Sequence, residues 1–183
     1  MTAKTKKIID KVFSITWWGI FLSLIVLIAW IMVAKAQGKV PKLFGYSVIK
    51  ITTSSMGDTI PVGTYILIVD VDPEEVEKDD IICFYSEDSR IYGYPNTHRV
   101  VEEPIKVGEK YEYVTKGDAS LTNDTVTAKS DKLIGKYVKT MDVVTWVSNN
   151  ATSKGTIVVL ALIVLTTAGI LIATVIIKSK NKE

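Results

Sequence analysis

One histidine, one cysteine and a short run of hydroxyls are where this 183-residue chain could do chemistry. His98 lies in Thr97-His98-Arg99-Val100-Val101, at the start of an expected strand that follows the Gly/Pro-containing loop 92–96. An imidazole titrates near neutral pH, at about 6.5, and so suits general-base work. A lone histidine is nonetheless more often a structural side chain than a catalyst, and its neighbours must decide. Hydroxyls gather in Thr52-Thr53-Ser54-Ser55, just before Met56-Gly57-Asp58. A serine becomes a nucleophile only beside a base, and the base needs a third group to orient it. Two carboxylates, Asp118 and Asp124, stand in the turn-rich segment 115–124 and could orient a base or cap turns. Cys83 is a poor rival, because Ile81, Ile82 and Phe84 surround it and imply a buried, inert thiol. A Cys-His-Arg transpeptidase built on Cys83, His98 and Arg99 also fails on geometry, since adjacent strand residues point to opposite faces.

Something must hold these groups together, and the middle of the chain supplies short strands for it. Segments 47–53, 64–71, 80–85, 98–101, 111–116 and 133–140 are β-branched or aromatic, and several alternate apolar with polar residues. Turn-formers separate them, among them Pro61-Val62-Gly63, Asp72-Pro73, Pro95-Asn96 and Lys116-Gly117-Asp118. A helical turn is expected only over 73–78. The pattern predicts a mainly β fold, a small irregular β-barrel or sandwich, over residues 35–154.

That domain is expected to be tethered at both ends. Residues 12–34 and 155–177 are uncharged apolar runs of 23 residues each. As helices rising about 1.5 Å per residue, such runs span a bilayer core of about 30 Å. The first is too long for the core of a cleavable signal peptide and lacks a clear cleavage site after it. Trp17, Trp18 and Trp30 sit near its ends, as interfacial aromatic residues do. Basic tails flank the pair: residues 1–11 carry net charge +3, residues 178–183 carry +2, and 35–154 carry −3. By the positive-inside rule, both tails are expected in the cytosol and the domain outside, in a multi-pass protein of the cell membrane. A single cysteine excludes a disulfide scaffold, a single histidine argues against a conventional zinc site, and dispersed Lys and Arg give no support to nucleic-acid binding.

Taken in order, these segments resemble the type I signal peptidases of the endoplasmic-reticulum and Gram-positive endospore-former type. Phe44-Gly45-Tyr46 leads into the first strand. Ser55-Met56, followed by Thr59-Ile60-Pro61-Val62-Gly63, matches the nucleophile box, and Asp80-Ile81-Ile82 the strand before the base. His98-Arg99-Val100 matches the base box of this His-bearing branch. Thr115-Lys116-Gly117-Asp118-Ala119 through Asp124 matches the acidic box, and Leu133-Ile134-Gly135-Lys136 a later strand. The resemblance covers about residues 42–145. It departs from the family at Ser54 and Asp58, where Gly and Pro are usual, and at Ser120, where Asn is commoner.

The resemblance implies a membrane-bound serine endopeptidase that removes N-terminal signal peptides from exported preproteins. Ser55 would be the nucleophile and His98 the base, with Asp124 orienting His98 and Asp118 supporting the loop or Arg99. The backbone N–H of Ser55 and the Thr53 hydroxyl would hold the oxyanion. Neither cofactor nor metal is implied. The partners would be secretory preproteins, the lipid bilayer and the secretion translocon. Candidate walls for the substrate pockets are Ile60, Tyr65 and Phe84. The alternative is a non-catalytic, membrane-anchored β-domain, either a surface binding module or an inactive subunit of a peptidase complex. Such a domain gives Ser55, His98 and Asp124 no reason to meet.

Overall fold

A computed structural model describes residues 3–150. The expected second apolar helix, 155–177, and the tail beyond it lie outside the described residues. Helix α1 runs Ala3–Ala36, so the segment expected as a separate basic tail forms the first turns of the helix. Within α1, Ile15–Ala36 is long and apolar enough to cross a membrane, and none of its most apolar window is buried against the other described residues. The helix stops at Gly38, whose φ of +69° is a conformation glycine adopts at little cost. There Gly38 N–H donates to the Lys35 carbonyl and Lys39 N–H to that of Ala34, which satisfies two of the last carbonyls.

Nine strands follow: β1 (Tyr46–Lys50), β2 (Tyr65–Val69), β3 (Ile81–Tyr85), β4 (Pro95–Val100), β5 (Ile105–Val107), β6 (Lys110–Tyr113), β7 (Thr115–Lys116), β8 (Ala128–Lys129) and β9 (Leu133–Thr140). They form an antiparallel six-stranded sheet ordered β1-β2-β9-β3-β4-β7 and a three-stranded sheet β5-β6-β8. The expected barrel is corrected here, because among the described residues the large sheet stays open, with β1 and β7 as its edges. Its last strand is only two residues long, and the chain then leaves the sheet to pass over the Ser54–Met56 turn. The end of β1 and the start of β4 flank a cleft instead of pairing across it.

Strand β3 shows why the core has two halves. All of Ile81–Phe84 is buried, and the alternation of its side chains sends Ile81 and Cys83 into one apolar cluster and Ile82 and Phe84 into the other. The first cluster includes Met56, Ile60, Ile66 and Ile68; the second includes Val100 and Tyr113. Burial pushes the Cys83 thiol up to about 12, opposed only by hydrogen bonding at Thr97 and Phe84, so it carries no thiolate at neutral pH. Strand β9 reaches between β2 and β3 through Gly135, where a Cβ would meet the Val69 carbonyl oxygen at 2.2 Å.

The expected segment 111–116 is two strands, because Tyr113 pairs with Ala128 in the small sheet while Thr115 pairs with Val100 in the large one. Strands β5 and β8 and helix α2 (Asp142–Asn150) were not expected from the sequence. The helix docks on β2, where Tyr65 N–H donates to Thr145 Oγ1 at 2.9 Å and the Tyr65 and Ser148 hydroxyls lie 3.1 Å apart. The expected turn after Asp72 is a single 3₁₀ turn, Pro73–Glu75, capped by the Asp72 carboxylate.

Candidate active site

His98 is buried on β4, opposite Ile82 of β3. Its Nδ1 lies 2.6 Å from Asp124 Oδ2. A carboxylate oxygen can only accept here, so Nδ1 carries a proton, and in the neutral imidazole the lone pair is on Nε2. Nε2 is buried and has no hydrogen-bond partner among the described residues. Leaving such an atom unpaired costs about 1–3 kcal/mol, so native proteins keep few of them outside working sites. Two bonds from Thr115 hold Asp124: its Oγ1 donates to Asp124 Oδ2 at 2.7 Å, and its carbonyl accepts Asp124 N–H at 2.8 Å. The Asn96 amide nitrogen stands 3.4 Å from His98 Nδ1, its orientation set by the Thr97 N–H bond to Asn96 Oδ1.

Ser55 is presented differently, on the 3₁₀ turn Ser54–Met56 that follows an extended Thr53. Its hydroxyl is 3.2 Å from that of Thr53. Met56 anchors the turn in the core, with 1% of its surface exposed. The segment after β7 clamps it from outside, because Ala119 N–H donates to the Ser55 carbonyl at 2.9 Å and Asp118 N–H to Met56 Sδ at 3.5 Å. Only glycine fits between them: a Cβ on Gly117 would sit 2.6 Å from the Ser55 carbonyl oxygen. The serine at position 54 is unstrained, since Phe44 and Asp79 are the only non-glycine residues with positive φ among those described.

Asp118 is hydrogen-bonded to Arg99 and Thr59, not to the imidazole. It accepts Arg99 Nε at 2.8 Å and Arg99 Nη2 at 2.7 Å, and its Oδ2 also accepts the Thr59 hydroxyl. Arg99 further donates to the Asp79 carbonyl at 2.8 Å, which ties this pair to the strained residue before β3. The Arg99 guanidinium beside it holds the Asp118 carboxyl below the usual carboxylate range, with help from Thr59, while burial opposes the shift. The same pairing raises Arg99 further. Asp118, Arg99 and Thr59 thus brace the turn that carries Ser55.

Thr53, Ser55, His98 and Asp124 line one cleft of about 200 Å³, with Phe84 in its wall. Asp118 does not line it. A larger cleft of about 490 Å³ continues from Ser55 along Ile49, Ile51 and Met56 on one side and Ile91, Tyr94 and Pro95 on the other. Two expected pocket walls are corrected: Ile60 is fully buried in the core, and Tyr65 turns toward α2. Sequence reading missed Thr115, Thr59 and Asn96, whose roles depend on partners far along the chain. Only Thr115 left a signal, as a hydroxyl at a strand position just before the acidic segment. Among the described residues, no group of three or more His, Cys, Asp or Glu side chains is placed to hold a metal ion.

No protein-family model matches the chain. Among curated proteins it is similar to signal peptidase I W of Bacillus subtilis (strain 168), 28% identical over 119 residues. The match takes in 64% of this chain, and the chain spans 60% of the length of that relative. This similarity supports a relationship to type I signal peptidases. Together with the apolar α1, it points to membrane association.

Proposed function

We propose that this chain is a membrane-bound serine endopeptidase that removes N-terminal signal peptides from exported preproteins through Ser55, His98 and Asp124. The observation that carries the reading is the His98–Asp124 pair at 2.6 Å, with a buried, unpartnered Nε2 in the same cleft as Ser55. In the proposed reaction Ser55 Oγ attacks the scissile carbonyl as its proton passes to His98 Nε2. Asp124 accepts the Nδ1–H bond throughout and stabilises the imidazolium without taking the proton. The Ser55 N–H and the Thr53 hydroxyl hold the oxyanion, a contribution of about 3–4 kcal/mol per well-placed donor. Collapse of the tetrahedral intermediate returns the proton from Nε2 to the leaving amine and leaves an acyl-Ser55, which water then hydrolyses by the same steps in reverse.

The larger cleft suits the acyl side of a signal peptide, because Ile49, Ile51 and Met56 offer apolar walls to small side chains. The membrane arrangement belongs to the same proposal: α1 and residues 155–177 as two spans, both termini cytosolic, the domain at the outer surface where the translocon delivers preproteins. The full chain in detergent is the material for the test. Wild type should cut a preprotein at its signal-peptide junction, and Ser55→Ala should lose that activity by several orders of magnitude while unfolding at the same temperature. A wild-type protein that leaves preproteins intact, or a Ser55→Ala protein that still cuts, refutes the assignment.

A further inference from the structure

The β3–β4 loop places a charged pair at the cleft that the reaction above does not use. Asp88 and Arg90 both line the smaller cleft beside Ser55, His98 and Asp124. Several hydrogen bonds join them. Arg90 gives Asp88 its backbone N–H at 2.9 Å, Nε at 3.1 Å and Nη2 at 2.6 Å. Asp88 N–H in turn donates to Oγ of the buried Ser86 at 3.1 Å. Three backbone bonds, Ser86 N–H to Tyr94 O, Gly93 N–H to Ser86 O and Tyr94 N–H to Ile91 O, close the loop beneath them. The pair is asymmetric, with the Asp88 side chain 19% exposed and that of Arg90 80% exposed. The Arg90 Nη1 makes no hydrogen bond to a described residue, so one N–H edge of a guanidinium at the cleft wall is left to bind a ligand.

We propose that Arg90, only partly neutralised by Asp88 beside it, gives this protein a preference for substrates with a carboxylate side chain immediately after the scissile bond. The inference rests on the peptidase reading. His98 must hand its proton to the leaving amine, so the segment that begins with that amine lies against His98, in the smaller cleft. Ser86, Asp88, His98 and Asp124 line only the smaller cleft, Ile49, Ile51 and Met56 line only the larger one, and Thr53, Arg90 and Asn96 stand where the two meet. Asp124 is committed to His98 and Thr115, and Asp88 to Arg90. A glutamate entering here gains a charge-assisted bond to Nη1, while a lysine meets a like charge.

The test uses the full chain in neutral detergent and two peptides that differ only in Glu or Lys after the scissile bond. Wild type should favour the Glu peptide by about fivefold in kcat/KM, and the ratio should approach one at 1 M salt, where charges are screened within about 3 Å. Asp88→Asn removes the internal counter-charge and should raise the ratio. Arg90→Gln leaves the Asp88 carboxylate exposed and should bring the ratio to one or below. A pair that merely braced the loop would move both variants in the same direction, and that result overturns the proposal. So does a wild-type ratio near one. If Asp88→Asn does not fold, the salt series decides, and a preference that persists at 1 M refutes an electrostatic origin. Failure of wild type to cut either peptide overturns the peptidase reading itself, an outcome distinct from cutting both equally.

Discussion

Gly117→Ala probes the contact that connects the acidic segment to the Ser55 turn. The added Cβ would lie 2.6 Å from the Ser55 carbonyl oxygen and 2.9 Å from Ser55 Cβ. Real Cβ contacts fall between about 3.0 and 3.4 Å at their tightest, so relief requires a displacement of about 0.4–0.8 Å. The two segments are coupled, because the Ser55 carbonyl accepts Ala119 N–H at 2.9 Å, so the push from residue 117 is passed to the Ser55 turn. The displacement therefore falls on Ser55 relative to His98. A misplacement of about 1 Å can cost about 100-fold in rate, so 0.4–0.8 Å corresponds to roughly 6- to 40-fold. At about 1.4 kcal/mol per factor of ten, this is about 1–2 kcal/mol of barrier. The assay is single-turnover cleavage of an internally quenched peptide, with thermal unfolding of the same preparation. The expected result is a fall in kcat with KM nearly unchanged. Wild-type kcat at a wild-type melting temperature refutes the packing argument. Activity lost only in proportion to unfolded protein refutes the claim that the strain falls on Ser55.

Asp124→Asn should keep the fold but lower turnover by up to about 10⁴, because the imidazolium loses its counter-charge and the tautomer is no longer enforced; a stable variant with near-normal turnover removes Asp124 from the mechanism. Asp118→Asn should instead lower the melting temperature, by an amount matching about 1–3 kcal/mol, since it leaves Arg99 half-buried without its partner. The Asp118 carboxyl is held low in the fold, so its contribution to stability is complete above the ordinary carboxylate pKa of about 4 and is lost as pH falls from there through the folded value. Wild type should therefore show a loss of stability below pH 4 that is smaller in Asp118→Asn, as read by melting temperature against pH. Cys83 should resist alkylation at pH 8 in the native protein and react at once in denaturant, because burial keeps it a thiol; rapid native labelling contradicts its place in the core.

Local patterns in the sequence carried much of this molecule. A strand needs only a short run of β-branched and aromatic residues, so all six expected strand segments hold strands, and 133–140 coincides with β9. The apolar character of 12–34 is a matter of composition, and Ile15–Ala36 bears it out as a stretch able to cross a membrane. Cys83 between isoleucines and a phenylalanine could hardly be anything but core. What the sequence left open is whatever depends on closure at a distance. Two- and three-residue strands such as β5, β7 and β8 have no pattern of their own and exist because a neighbour supplies hydrogen bonds. Whether the sheet closes into a barrel is set by register and strand length, and β7 is too short to carry the sheet round. The two aspartates six residues apart are chemically identical in sequence, and either could have met the imidazole. The fold separates them. Thr115 turns Asp124 back toward His98, while Arg99, on the opposite face of β4 from His98, draws Asp118 away to brace the Ser55 turn. A strand alternates its faces, so adjacent His98 and Arg99 serve the same site from two sides, and only the tertiary structure decides which carboxylate reaches each.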